Sequence, residues 1–326
     1  MTKIKTFSVE EIDSNARLDK FLAHKLKTIT RTQIKKIILS KNLSVNDRII
    51  CSPSQKVKIG DKIRFSIPES KNEYIKPEKI KIDIVYEDHD LIVLNKPAGL
   101  VVHPGAGNKS GTLVNGLVYH YKKNLSDLNG ILRPGIVHRI DKGTSGLLVV
   151  AKNNLSHVKL SNQFSQHNVK RKYIALIWGV LRPLNGKIIT LISRNKKNRQ
   201  IMSVSEISGK KAVTNYKTLK VFANNEIPKI SLVECTLETG RTHQIRVHLS
   251  HKGNGLIGDK KYGKQKIKFK KINKKFEKIL MNFDRQALHA ISLGFAHPSK
   301  NKQIEFVSKL PKDFKKILDI LEKLTN

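Results

Sequence analysis

From Arg17 onward, Leu18, Phe21, Leu22 and Leu26 recur at helical spacing, leaving Arg17, Lys20 and Lys27 for the opposite, solvent-facing side. Thr30 followed by Gln33 fits a capping box that opens a second helix, with Ile34, Ile37 and Ile38 inward and Arg31 and Lys35 pointing away. Asn42 tolerates a left-handed turn. Leu43-Ser-Val45-Asn-Asp47 then reads as strand and turn, a Gly60-Asp61 turn follows, and Ile63, Phe65 and Ile67 alternate as a half-buried strand. Residues 69–79 are polar, carry a proline and predict a linker. Beyond it Ile80, Ile82 and Ile84 alternate, and a short apolar run over 91–94 follows the turn Asp88-His89-Asp90. Further apolar runs at 147–151, 173–178 and 230–237 predict strands, and residues 155–167 and 311–324 predict helices. The mixture predicts an α+β protein with a large, mostly antiparallel sheet. It divides into a small α/β module over 15–68 and a larger domain over 80–326.

The chain has 326 residues, enough for one catalytic domain and a small appended module. No apolar stretch approaches the roughly 18–20 residues needed to span a bilayer, so no membrane association is expected. The first residues lack the apolar core of a secretory signal, which makes the cytoplasm the expected location. The two cysteines, Cys51 and Cys235, are far apart in sequence and are expected to remain thiols. Charge changes the picture most. With 63 Lys and Arg against 26 Asp and Glu, the formal net charge is +37, a strong positive field toward a polyanion. Charge alone does not separate RNA from DNA or anionic lipid, and a lysine-rich composition raises it without any ligand. The lysine run through Lys264, Lys266, Lys268, Lys270, Lys271, Lys274, Lys275 and Lys278 reads as a loop entering a basic helix, either touching phosphates or simply solvated. No fixed-period repeat is present.

Candidate chemistry concentrates in Arg133-Pro-Gly-Ile-Val-His138-Arg139-Ile140-Asp141-Lys-Gly143-Thr144-Ser145-Gly146, a polar loop between apolar stretches. A carboxylate among His138, Arg139 and Lys142 stays ionised and is able to act as nucleophile or base, although an isolated Asp near glycine more often holds a turn. Three other segments stand out. Asn95-Lys96-Pro97-Ala-Gly99 runs on to His103-Pro-Gly-Ala-Gly-Asn108; Arg171-Lys-Tyr173 opens a strand; and Thr239-Gly-Arg241-Thr-His243-Gln-Ile-Arg246-Val-His248 is rich in cations. No Gly-Lys-Ser/Thr follows the glycine-rich stretch, which argues against a nucleotide-phosphate loop. His243, His248 and His251 lack a carboxylate or cysteine at ligand spacing, so no zinc site is expected.

Together these segments closely resemble the RluA-type pseudouridine synthases, and the His-Pro-Gly-Ala-Gly-Asn extension resembles their RluD-like branch. Gly258-Asp259-Lys-Lys-Tyr262-Gly263 and Asp284-Arg285-Gln286-Ala-Leu288-His289-Ala290 are also familiar there. Residues 15–68 are similar to the S4 RNA-binding domain, with Asn42 and Asp47 replacing turn glycines. The resemblance implies a pseudouridine synthase fold acting without cofactor or metal on large-subunit ribosomal RNA, and a monomer is expected. It makes Asp141 the catalytic carboxylate, Tyr173 the ring stacked on the uracil, and Arg241 the cation paired with Asp141. Arg139 enters the stack vacated by the flipped base, while His138, Thr144, Asn95 and Lys96 position substrate and Arg17, Lys20, Arg31 and Lys35 contact RNA. An RluC-type synthase and a non-catalytic ribosome-assembly protein are the competing readings. The sequence departs from the family pattern at Ile140, usually leucine, and at Gly143, where a loosening of the loop around Asp141 is expected.

Overall fold

The computed structural model describes residues 3–26, 31–67, 74–105, 107–122, 124–130, 132–195, 197–263 and 272–325. The chain forms two compact units, Met1–Glu73 and Tyr74–Asn326. In the first, strands β1 (Lys3–Ser8), β2 (Leu43–Val45), β3 (Arg48–Ile49) and β4 (Lys62–Ile67) form a sheet in the order β1-β4-β2-β3. Helices α1 (Leu18–Lys25) and α2 (Arg31–Leu39) share its core, where Leu18, Phe21, Leu22, Ile34, Ile38, Ile63 and Phe65 are buried. The β2–β3 hairpin turns through Asn46 (φ 49°) and Asp47 (φ 61°), both left-handed, so Asp47 meets the backbone demand in place of a glycine. At the end of α2 the left-handed residue is Lys41 rather than Asn42. Strand β1, which lies before residue 15, completes this sheet along β4. Lys27, Thr30, the Gln33 side chain and the lysines from 264 to 271 lie outside the described residues.

The second unit is organised by a ten-stranded sheet. Its strands are β5 (Ile84–Glu87), β6 (Leu91–Lys96), β7 (Ser145–Ala151), β8 (Lys170–Trp178), β9 (Asn185–Arg194), β10 (Met202–Ser205), β11 (Lys210–Phe222), β12 (Ile230–Leu237), β13 (Leu288–Ala296) and β14 (Gln303–Val307). They run in the order β10-β9-β11-β12-β8-β13-β7-β6-β5, with β14 added beside β13. The β13–β7 pair is parallel and the other pairs are antiparallel. Among the described residues, five helices complete the unit: α3 (Leu113–Tyr121), α4 (Asn154–Ser165), α5 (Gln244–His251), α6 (Lys274–Met281) and α7 (Lys312–Thr325).

Alternation along the central strands sorts their side chains to two faces. Tyr173, Ala175 and Ile177 of β8 face a core shared with Leu113 and Leu117 of α3 and Ile245 and Leu249 of α5. Ile174 and Leu176 face the opposite way, onto Phe276 of α6 and Phe314, Ile317 and Leu321 of α7. Each such fully buried side chain contributes on the order of 1.5–3 kcal/mol of transfer free energy. The end of the expected linker belongs to this unit: Ile75 is buried in the first core, Asn115 donates to the Lys76 carbonyl, and Glu78 accepts from the Gly111 N–H. Regular pairing begins at Ile84, not Ile80, because the segment before it packs on α3. There the Ile80 Cβ lies 3.0 Å from where a side chain on Gly116 would begin.

Candidate active site

The Asp141 loop is fixed from several sides. Its two ends are short: the Thr144 N–H donates to the Asp141 carbonyl at 3.1 Å, and β7 starts at once with Ser145. Gly146 (φ 114°) lies directly against the backbone of Ala290 where β7 and β13 run parallel, and a side chain there would meet the Ala290 carbonyl oxygen at 2.3 Å. Lys96, wholly buried, donates to the carbonyls of Pro97, Leu100 and Lys142 at 2.8, 2.8 and 3.2 Å. Burial pushes this amine down to about 7, while three carbonyl acceptors match the three N–H groups that only the ammonium possesses. Lys96 therefore braces the loop from behind; it does not line the cavity in front of Asp141. Its neighbour Asn95 donates to the Asp83 carboxylate at 3.0 Å, so neither of these two expected substrate contacts lines the cavity.

The cation paired with Asp141 is Arg246, not Arg241. Arg246 Nη1 donates to Asp141 Oδ2 at 2.9 Å, while its Nε and Nη2 form a fork on Asp259 at 2.7 and 2.8 Å. The reason is local backbone. His243, left-handed at φ 57°, starts α5, and Gln244 accepts from the Arg241 N–H and from Thr239 and donates to the Val213 carbonyl and the Thr214 hydroxyl. This locks Arg241 onto the preceding turn, where its Nε donates to the Lys211 carbonyl at 3.0 Å. Arg246, one turn into the helix, faces the loop and lies over the Tyr262 ring at 4.9 Å. Burial lowers its pKa, but the two carboxylates outweigh that and hold it above the ordinary arginine value. Asp259, almost fully enclosed, is pushed up by burial and pulled down further by Arg246, so it stays ionised. His243 completes the surround, with Nδ1 2.7 Å from the Tyr262 hydroxyl and Nε2 3.8 Å from Asp141 Oδ1.

Asp141 opens onto a cavity of about 450 Å³ lined also by His138, Arg139, Thr144, Arg171, Tyr173, Arg241 and Arg246. Tyr173 is 8% exposed, and burial raises its phenol while the neighbouring Arg171 opposes the rise. His138 is no cation: burial, reinforced by Arg171, pushes it down to about 3. Its Nε2 accepts the Val149 N–H at 3.0 Å and its ring stacks on Phe164 at 4.3 Å, making it part of the wall. Thr144 accepts from Gln286 Nε2 at 3.0 Å. Gly143 leaves room for that contact, since a Cβ there would sit 2.4 Å from Gln286 Oε1. Arg139 is exposed beside the cavity and its Nη1 lies 3.1 Å from His103 Nε2, while His103 Nδ1 lies 2.9 Å from the Pro104 carbonyl. The latter contact requires the proton on Nδ1, leaving Nε2 to accept from Arg139.

Elsewhere, three of the four basic residues expected to meet RNA converge on the buried carboxylate of Asp19. Arg17 Nε is 3.1 Å, Arg31 Nη2 2.9 Å and Lys35 Nζ 3.9 Å away, and Lys20 is exposed. Burial raises the Asp19 pKa, but hydrogen bonds from Arg17 and Arg31 bring it below the usual value. Asp19 thus gathers a basic patch on one side of the helical pair. His243, His248 and His251 do not converge: His248 sits between the hydroxyls of Thr190 and Thr214 at 2.9 Å each. Asp88, Asp90 and His297 do meet, but His297 donates to Asp88 at 2.6 Å and Asn153, Ser156 and Ser299 donate to Asp90, a hydrogen-bonded strut between strands.

A single carboxylate held by a buried arginine in a nucleoside-sized cavity, in a chain that also carries an S4-like module, defines a class of RNA-modifying enzymes. Residues 90–251 match the RNA pseudouridylate synthase family and residues 16–63 match the S4 domain. An RNA pseudouridine synthase of Bacillus subtilis, YlyB, is 43% identical over 97% of both chains. The ribosomal large subunit pseudouridine synthase D of Zymomonas mobilis is 43% identical over 94% of this chain and 93% of its own. The solved structure of human RNA pseudouridylate synthase domain containing 4 is 27% identical, with a TM-score of 0.55 over 74% of this chain and 93% of that one. The chain belongs to the RNA pseudouridylate synthase family, isomerases that convert uridine in RNA to pseudouridine.

Proposed function

We propose that this enzyme modifies uridines of large-subunit ribosomal RNA, in the stem-loop called helix 69, with Asp141 as its catalytic carboxylate. Support for the substrate comes from relatives carrying the large-subunit synthase name, about 40% identical over nearly the whole chain, and from the His103-Pro-Gly-Ala-Gly-Asn108 segment. The observation that carries the chemistry is the direct Asp141–Arg246 pair at the mouth of a cavity that Tyr173 lines. A carboxylate so held is poised either to attack the sugar of a flipped uridine or to remove a sugar proton. The glycosidic bond breaks, the uracil turns within the cavity, and C5 rejoins the sugar. The proton leaving C5 goes to water or to the carboxylate freed when C5 rejoins the sugar, while Tyr173, whose phenol burial keeps protonated, offers its ring to the uracil. Atoms are conserved, so neither redox partner nor phosphate donor enters the balance.

Extruding the base costs a few kcal/mol, and Arg139, exposed beside the cavity, is the group offered to the vacated stack. The basic patch around Asp19 supplies a second RNA contact in this reading. Pseudouridine mapping of ribosomal RNA from a strain lacking the gene tests the target. Loss confined to helix 69 supports it. Loss at other large-subunit positions favours an RluC-type specificity, and an unchanged map favours a non-catalytic assembly role.

A further inference from the structure

Arg171 is the cation that the chemistry above leaves unused. It is 8% exposed, stands two residues before Tyr173 on the same face of β8, and lines the same cavity. Its Nε and Nη2 are enclosed without a hydrogen-bond partner, and no carboxylate among the described residues pairs with it. Its guanidinium rests on the Phe164 ring at 5.7 Å. The second guanidinium at this end of the cavity, Arg241, makes no ion pair among the described residues either, and the two repel, which together with burial lowers the Arg171 pKa. Between them lies Gly240, where a Cβ would stand 2.5 Å from Arg171 Nη1. The chain thus keeps open a seat for a buried cation that no carboxylate among the described residues neutralises.

Resting on the reading that a uridine nucleotide enters this cavity, we propose that Arg171 is a substrate anion receptor. With Arg241 across Gly240, it takes the phosphodiester attached to the target nucleotide while the sugar lies at Asp141. An uncompensated guanidinium in such a place calls for an anion more than for a neutral uracil carbonyl. Its fork also matches two phosphate oxygens, a geometry lysine lacks. A small turn of the side chain off Phe164 toward the cavity would give the enclosed nitrogens acceptors. Binding then relieves a strain that the free enzyme carries.

The test pairs Arg171→Gln with RNA stem-loops carrying one neutral methylphosphonate linkage on either side of the target uridine. Affinity is read by fluorescence anisotropy and pseudouridine formation is scored in the same samples. One neutral linkage is expected to weaken wild-type binding about 10- to 100-fold, the scale of a charge-assisted contact. Arg171→Gln should lose a similar factor on unmodified RNA, and combining the two changes should cost little more. Equal sensitivity of wild type and variant to both linkages overturns the proposal. So does a variant that melts several degrees below wild type, because that result gives Arg171 a structural role. Failure of the wild type to form pseudouridine on unmodified RNA speaks against the proposed target instead, since anisotropy reads binding without turnover.

Discussion

Replacing Arg246 with methionine removes three charge-assisted hydrogen bonds at once, two to Asp259 and one to Asp141. The two carboxylates fare differently. Asp259 is 1% exposed at its side chain and has no other cation within ion-pair distance among the described residues, whereas Asp141 is 19% exposed and meets solvent in the cavity. Breaking a buried pair from one side costs about 3–5 kcal/mol, most of it from the stranded charge. Arg246→Met should therefore lower stability by about that amount in urea unfolding. Adding Asp259→Asn removes the stranded charge yet keeps an oxygen for the Lys261 and Tyr262 N–H groups, so over half of the loss should return. Turnover should not return with it, because Asp141 still lacks its cation; roughly 10- to 100-fold slower single-turnover formation of pseudouridine is expected in both variants. Two results would refute the reasoning: a single variant destabilised by under about 1 kcal/mol, or a double variant with wild-type turnover. Arg241→Ala is the companion, expected to weaken RNA binding with little effect on stability.

Gly143→Ala puts a methyl into the space of the Gln286 amide and should cost about 1–3 kcal/mol as overpacking. Gln286→Ser in the same chain should relieve it, and a variant as stable as wild type would show that the loop has room. Burial holds His138 at about 3 and His248 and His289 at about 4, uncharged in the fold. An unfolded chain protonates them below about 6.5. Their contribution is therefore complete above that pH and declines as pH falls toward 4, by up to about 1.4 kcal/mol per pH unit for each histidine. Urea midpoints at pH 7 and pH 5 measure this, and equal midpoints contradict it.

The central strands were legible because β6, β7, β8 and β12 are runs of apolar residues enclosed on both faces. Strands β9 and β11 were not, since exposed lysines interrupt them toward the sheet's end, and their pairing with distant strands decides their conformation. Helix α3 was hidden by its composition: Leu113-Val-Asn-Gly-Leu-Val-Tyr is buried through its first turns, so little polar stripe marks a period. Motifs located the loop holding Asp141 and the strand holding Tyr173. They gave the pairing with the carboxylate to Arg241 where Arg246 makes it, because that choice depends on the left-handed turn at His243 and the Gln244 hydrogen bonds. Asp259 and Tyr262 stood in a familiar segment without a role until Arg246 connected them to Asp141. Asn95 and Lys96, expected to position substrate, stand off the cavity for a related reason. Sequence places them near the loop, but the direction of β6 turns one toward Asp83 and the other into the backbone carbonyls behind it.

The carboxylate itself is tested most directly by Asp141→Asn, which keeps the shape of the side chain and an oxygen for Arg246. Tritium release from 5-tritiated large-subunit RNA, measured beside RNA affinity and melting temperature, should show binding and folding near wild type with no release above background. Release at a rate close to wild type from the folded, RNA-bound variant would contradict the assignment of Asp141 as the catalytic group.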